Sequence, residues 1–115
     1  MPAGIYNIQA EQGSTLTRTV TWTDSTGSPI DLTSYTARMH VRVEPHSAST
    51  ILVLTTENGG LILGGATGTI SLQASATTTA ALSGGSYVYD LELVSGGVVT
   101  RLLQGSFNVS LEVTK

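Results

Sequence analysis

Polar and apolar side chains alternate along most of this chain, and the period is two. In YTARMHVRVE, Ala37, Met39, Val41 and Val43 occupy every second position, with Thr36, Arg38, His40, Arg42 and Glu44 between them. Successive side chains of a strand point to opposite faces, so Thr36–Glu44 is predicted to be a half-buried β-strand. TLTRTVTWT (15–23) repeats the pattern: Leu16, Val20 and Trp22 share a face with threonines opposite, and Arg18 interrupts the apolar row as a residue near a sheet edge would. Shorter strands are predicted at TILVLTT (50–56), LIL (61–63) and TISLQ (69–73), the last with Ile70 and Leu72 inward.

Between these runs lies turn chemistry: DSTGSP (24–29), EPHSAS (44–49), ENGG (57–60) and GGATG (64–68). Gly, Asn, Asp and Ser accept the dihedral angles of turns, and Pro45 cannot donate a ladder hydrogen bond. In PIDLTSY (29–35), Ile30, Leu32 and Tyr35 are placed to anchor the approach to the next strand. ASATTTAAL (74–82) is the one helix candidate; it is short, with Ser75 as its N-cap, and SGGS ends it.

The strongest pattern is SYVYDLELVSGGVVTRLLQGSFNVSLEV (86–113). Tyr87, Tyr89, Leu91 and Leu93 fall on one face, and Asp90 and Glu92 fall on the other. Gly96-Gly97 between two β-rich runs predicts a hairpin with a two-residue primed turn. Gly105 is expected to mark a bulge, after which Phe107, Val109, Leu111 and Val113 resume the apolar face. About seven strands with regular turn signals predict an all-β fold, an antiparallel immunoglobulin-like β-sandwich with at most one short helix near 75–82. The expected organisation is a single domain over 1–115 with a short N-terminal arm at about 1–5. Trp22, Met39, Val41, Ile70, Leu72, Tyr89, Leu91 and Val109 are the expected core, with Trp22 as its central plug.

Composition narrows the function. A chain of 115 residues can enclose one core without staples, and it has no cysteine for disulfides or thiolate metal sites. Charged residues make up 11% and the net charge is −3, a poor footprint for nucleic acid. The first residues, MPAGIYNIQAEQ, show no basic stretch followed by an apolar run, and no apolar segment approaches the roughly 20 residues of a membrane span. Synthesis and folding in a cytoplasm are therefore expected. Thr, Ser, Gly and Val dominate over Lys, Glu and Asp, which gives neutral, hydroxyl-rich faces suited to cover by partners.

Candidate chemistry is sparse. Arg38, His40 and Arg42 would project from one face of one strand, either as a partner-docking ridge or simply as its wet side. His46 lies in a loop and does not share strand or helix spacing with His40, so the two do not form a ligand pair. Asp90 and Glu92 are neighbours on one strand face, whereas hydrolytic carboxylate pairs converge from separate elements. No G-x-S-x-G elbow is present, and neither GGATG nor LSGG leads into a helix with the lysine of a phosphate loop. No catalytic residue, metal ligand or cofactor site is assigned, and the chain is expected not to be an enzyme.

Several segments together, GSPIDLTSYTARMHVR, TTENGGLILGGATGTISL and TAALSGGSYVYDLELVSGGVVTRLLQGSFNV, resemble a family of small tailed-bacteriophage virion proteins. These are associated with tail, baseplate and fibre, and some are similar to the N-terminal domain of upper-baseplate proteins. The resemblance covers roughly residues 14 to 113 and is most specific from Tyr87 to Gly105. It implies a non-enzymatic structural protein of the virion, made in the host bacterial cytoplasm, that joins or extends tail, baseplate or fibre components. Its implied partners are other virion proteins, met in several copies of a symmetric assembly, without nucleic acid, membrane or small-molecule substrate. A capsid decoration protein and a host-surface carbohydrate-binding module are the alternatives; the second would need solvent-facing aromatics.

Overall fold

The structure, a computed structural model, describes residues 4–45 and 49–111. His46 and Val113 lie outside the described residues. Within them run β1 (Gly4–Ile5), β2 (Ile8–Glu11), β3 (Leu16–Thr21), β4 (Thr36–Arg42), β5 (Leu52–Thr55), β6 (Leu61–Leu63), β7 (Thr69–Ala74), α1 (Ala76–Ala80), β8 (Gly85–Ser95) and β9 (Val98–Ser110). The protein is all-β, in two sheets. The larger runs in the order β1-β9-β8-β4-β5, with β2 also on β9, and the smaller runs β3-β7-β6.

Every segment that alternation marks as a strand is one, β3 through β9. β1 and β2 are additional, and they change the topology. Both lie parallel to β9, from Gly4 opposite Leu103 to Glu11 opposite Ser110. Pairing is therefore not antiparallel throughout, and Gly4 and Ile5 of the expected N-terminal arm are sheet residues. The remaining ladders are antiparallel.

The two sheets bury their apolar faces in one cluster. Ile8, Met39, Val41, Leu91, Leu93 and Phe107 enter it from the larger sheet, and Leu16, Leu61, Ile70 and Leu72 enter from the smaller. Burying each such side chain contributes about 1.5–3 kcal/mol. Of the expected core, Met39, Val41, Ile70, Leu72, Tyr89, Leu91 and Val109 are buried. Trp22 is only half-buried, so it is not the central plug. It lies just past the end of β3, with its N–H donating to Gly68 O at 2.8 Å, and its ring meets Tyr35 edge-on at 5.8 Å. Phe107 is the largest fully buried side chain. Val43 and Leu111 are exposed, at 60% and 72%, because β4 ends at Arg42 and β9 at Ser110 while the alternation continues past the sheet.

Local chemistry fixes the connections. Gly96 and Gly97 turn the hairpin with φ of 57° and 84°, the left-handed region that a primed turn requires. Ser75 caps α1, its hydroxyl accepting from the Thr78 N–H at 3.2 Å. Fully buried Thr79 pins this helix to the turn after β2: its hydroxyl donates to Ser14 O at 2.7 Å and accepts from the Gly13 N–H at 3.1 Å. The bulge lies at Leu102 rather than Gly105, since Leu91 faces Leu103 whereas Glu92 faces Arg101. Gly105 sits in regular register opposite Tyr89, and it is not among the glycines with positive φ. Its role is space: a Cβ there would come within 2.6 Å of the Tyr6 carbonyl oxygen.

Candidate docking face

The outer face of the larger sheet carries the charged rows. On β4, Ala37, Met39 and Val41 point inward, which sends Arg38, His40 and Arg42 outward together. The same logic on β8 sends Asp90 and Glu92 outward between buried Tyr89, Leu91 and Leu93. Antiparallel register then aligns the two sets. Arg38 stands opposite Glu92, which stands opposite Arg101 of β9, and His40 stands opposite Asp90, which stands opposite Gln104.

These neighbours are within bonding range. Arg38 Nε donates to Glu92 Oε1 at 2.8 Å, and Arg101 Nε lies 3.5 Å from Asp90 Oδ2. Arg42 Nη2 lies 3.2 Å from His40 Nδ1. A guanidinium has only donors, so His40 Nδ1 is the acceptor in this contact. The predicted basic ridge is thus one margin of a mixed array, in which three guanidiniums stand beside two carboxylates. A groove of about 620 Å³ runs across it, with Ile5, Val88 and Pro45 as apolar borders and Gln104 and Asp90 in its lining.

No family model matches the chain, and no curated protein matches it.

His40 engages Arg42 rather than a hydroxyl nucleophile, and the carboxylates of Asp90 and Glu92 are engaged by arginines. Among the described residues no group of three or more His, Cys, Asp or Glu side chains could hold a metal ion. No helix is long and apolar enough to cross a membrane among those residues. The arrangement can offer a partner fixed donors and acceptors on a rigid sheet. The sequence reading set Asp90 and Glu92 on one strand face but did not bring them, or Arg101, beside the β4 row. Two-residue turn geometry held the signal for one pair: counting back from Gly96-Gly97 sets Ser95 against Val98, and hence Glu92 against Arg101.

The titratable groups with clear shifts lie elsewhere. The Thr26 hydroxyl, then the Ser28 and Thr26 N–H groups, hold the Asp24 carboxyl below the usual carboxylate range. The Thr33 hydroxyl and N–H do the same for Asp31. Both aspartates brace turns. Burial, then the nearby Tyr6, pushes the Tyr89 phenol up, and its hydroxyl donates to the Tyr6 carbonyl. That bond ties β8 to the segment joining β1 and β2.

Proposed function

We propose that this protein is a non-enzymatic structural component of a tailed-bacteriophage virion, an immunoglobulin-like β-sandwich that joins or extends tail, baseplate or fibre parts. The reading rests on the family resemblance centred on Tyr87–Gly105. The outward array of Arg38, His40, Arg42, Asp90, Glu92 and Arg101 supports it. Side chains held in place by their neighbours on a sheet lose little freedom when a partner docks, so the affinity costs less in ordering. Mixed charge of this kind gives register and encounter rate more than raw affinity, which suits repeated contacts in an assembly. Arginine is also among the residues enriched at protein interfaces. The partners are other virion proteins, met in several copies.

Recognition of carbohydrate fits less well. All six aromatic side chains (one Trp, four Tyr, one Phe) are buried or half-buried, which leaves no open ring platform for a sugar. The test is the double substitution Arg38→Ser with Arg42→Ser, introduced into the phage that encodes the chain. The expected result is a normally folded protein that is lost from purified virions. Normal folding with normal incorporation removes the docking role from this face. Purified virions that hold no peptide of the unaltered chain by mass spectrometry would sink the virion reading itself.

A further inference from the structure

Arg38 and Arg101 are engaged at their inner atoms and open at their outer ones. Each meets a carboxylate through Nε, Arg38 with Glu92 at 2.8 Å and Arg101 with Asp90 at 3.5 Å. Among the described residues, no hydrogen bond engages the terminal Nη1 and Nη2 of either side chain. A guanidinium is a planar fork of donors, so each arginine keeps an unused pair of nitrogens at its tip.

Exposure decides which sign a partner meets first. The Arg38 and Arg101 side chains are 48% and 54% exposed, and their carboxylate partners Glu92 and Asp90 are 22% and 38% exposed. The carboxylates lie lower and brace the guanidiniums, which form the outermost charge of the row. Register sets the spacing. Arg38 and Arg101 flank Glu92, one strand away on either side. Two inter-strand steps put their backbones about 10 Å apart.

Such forks bind planar anionic groups bidentately, and both carboxylate and phosphate match them. The surroundings choose between the two. Asp90 and Glu92 lie beneath the forks and the whole chain carries a net charge of −3, which opposes a polymer with a phosphate on every unit. Two isolated carboxylates bring far less negative charge for the same hydrogen bonds.

We propose that Arg38 and Arg101 capture two carboxylates of a partner protein, one on each fork. That the partner is another virion protein rests on the virion reading; the acidic side chains it must present opposite β4 and β9 are the addition. Glu92 and Asp90 are positioning residues here. Their contacts with Nε orient the forks before the partner arrives, so less freedom is lost on docking.

The test separates fork from charge. Arg38→Lys with Arg101→Lys keeps both positive charges and removes both forks. Introduced into the phage that encodes the chain, this variant is expected to fold with an unchanged denaturation midpoint and to fall at least about tenfold in copies per virion. Copies equal to the parent's would overturn the forks and leave the virion reading standing, whereas virions without the parent chain would overturn both. Should the double variant fail to fold, Arg101→Lys alone is read in the same way. The carboxylates are tested by Arg38→Glu with Arg101→Glu, followed by selection for phage that regain incorporation. The expected second-site changes replace an Asp or Glu of another virion protein by Lys or Arg. Regained incorporation through changes that touch no acidic residue would overturn the acidic partner. So would an oligonucleotide retained by the parent protein and released by the lysine variant, which would make phosphate the occupant.

Discussion

Gly105→Ala is the sharpest probe of how the N-terminal strands are held. The added Cβ would stand 2.6 Å from Tyr6 O and 2.8 Å from Asn7 Oδ1, well inside van der Waals contact. Neither neighbour is free to retreat. The Tyr6 N–H donates to Gln104 O at 3.0 Å, the Tyr6 carbonyl accepts from the Tyr89 hydroxyl, and Asn7 Oδ1 accepts from the Ser106 N–H at 3.1 Å. Overpacking against such fixed atoms costs about 1–3 kcal/mol. Against this, replacing glycine recovers about 0.5–1 kcal/mol of backbone entropy, because φ at this position is one that alanine accepts. The net expectation is a loss of up to about 2.5 kcal/mol. At a urea slope of about 2 kcal/mol per molar, the unfolding midpoint falls by up to roughly 1.25 M. Amide hydrogen exchange should quicken first at Tyr6 and Ile8, where the displaced segment pairs with β9. A midpoint above that of the parent protein would refute the close approach of Tyr6 to β9.

Leu91, with 0% exposure, should cost about 2–5 kcal/mol when cut to alanine; an unchanged denaturation midpoint would take it out of the core. Replacing Gly96 and Gly97 together by Val puts β-branched side chains at positive φ, and loss of the cross-strand NMR contacts near Ser95 and Val98 is the expected sign. The depressed carboxyls of Asp24 and Asp31 titrate lower in the folded than in the unfolded chain. Their stabilisation is therefore fully present above roughly pH 4 and is lost as the pH falls through the folded values. Asn substitutions at both positions should flatten the acid side of a thermal-unfolding profile, and a profile unchanged in slope would show that these turns do not couple to acid.

The strands β3 to β9 could be read from the chain because a half-covered sheet writes its period into local sequence. β1 and β2 could not. Ile8 and Ala10 alternate too briefly to stand out, and their partners Phe107 and Val109 lie at the far end of the chain. The outward orientation of Arg38, His40 and Arg42 follows from position alone. Their meeting with Glu92 and Asp90 depends on the β4–β8 register, which is set by core packing between distant segments. The bulge was misplaced for a related reason. Glycine at 105 suggested conformational need, but the extra residue is Leu102, beside the point where Gly4 joins β9 at Leu103. Trp22 was assigned to the core by alternation that outlasts its strand, and the apolar rows that include Val43 and Leu111 run past their strands in the same way.

The parallel pairing of β2 with β9 also sets an order of events. Asn7 and Ser106 meet across 99 positions of sequence, so that contact closes a loop of nearly the whole described chain. Closing long loops is slow, because entropy is lost before any contact rewards it. The smaller sheet needs only the chain from Leu16 to Ala74 and can assemble on its own sequence, but the larger one is unfinished until β9 exists. On a ribosome, the strands made first are therefore the ones that wait longest. Until β9 emerges, Ile8 and Ala10 have no sheet to join, and a growing chain carries them unpaired while everything from Gln12 to Arg101 is made.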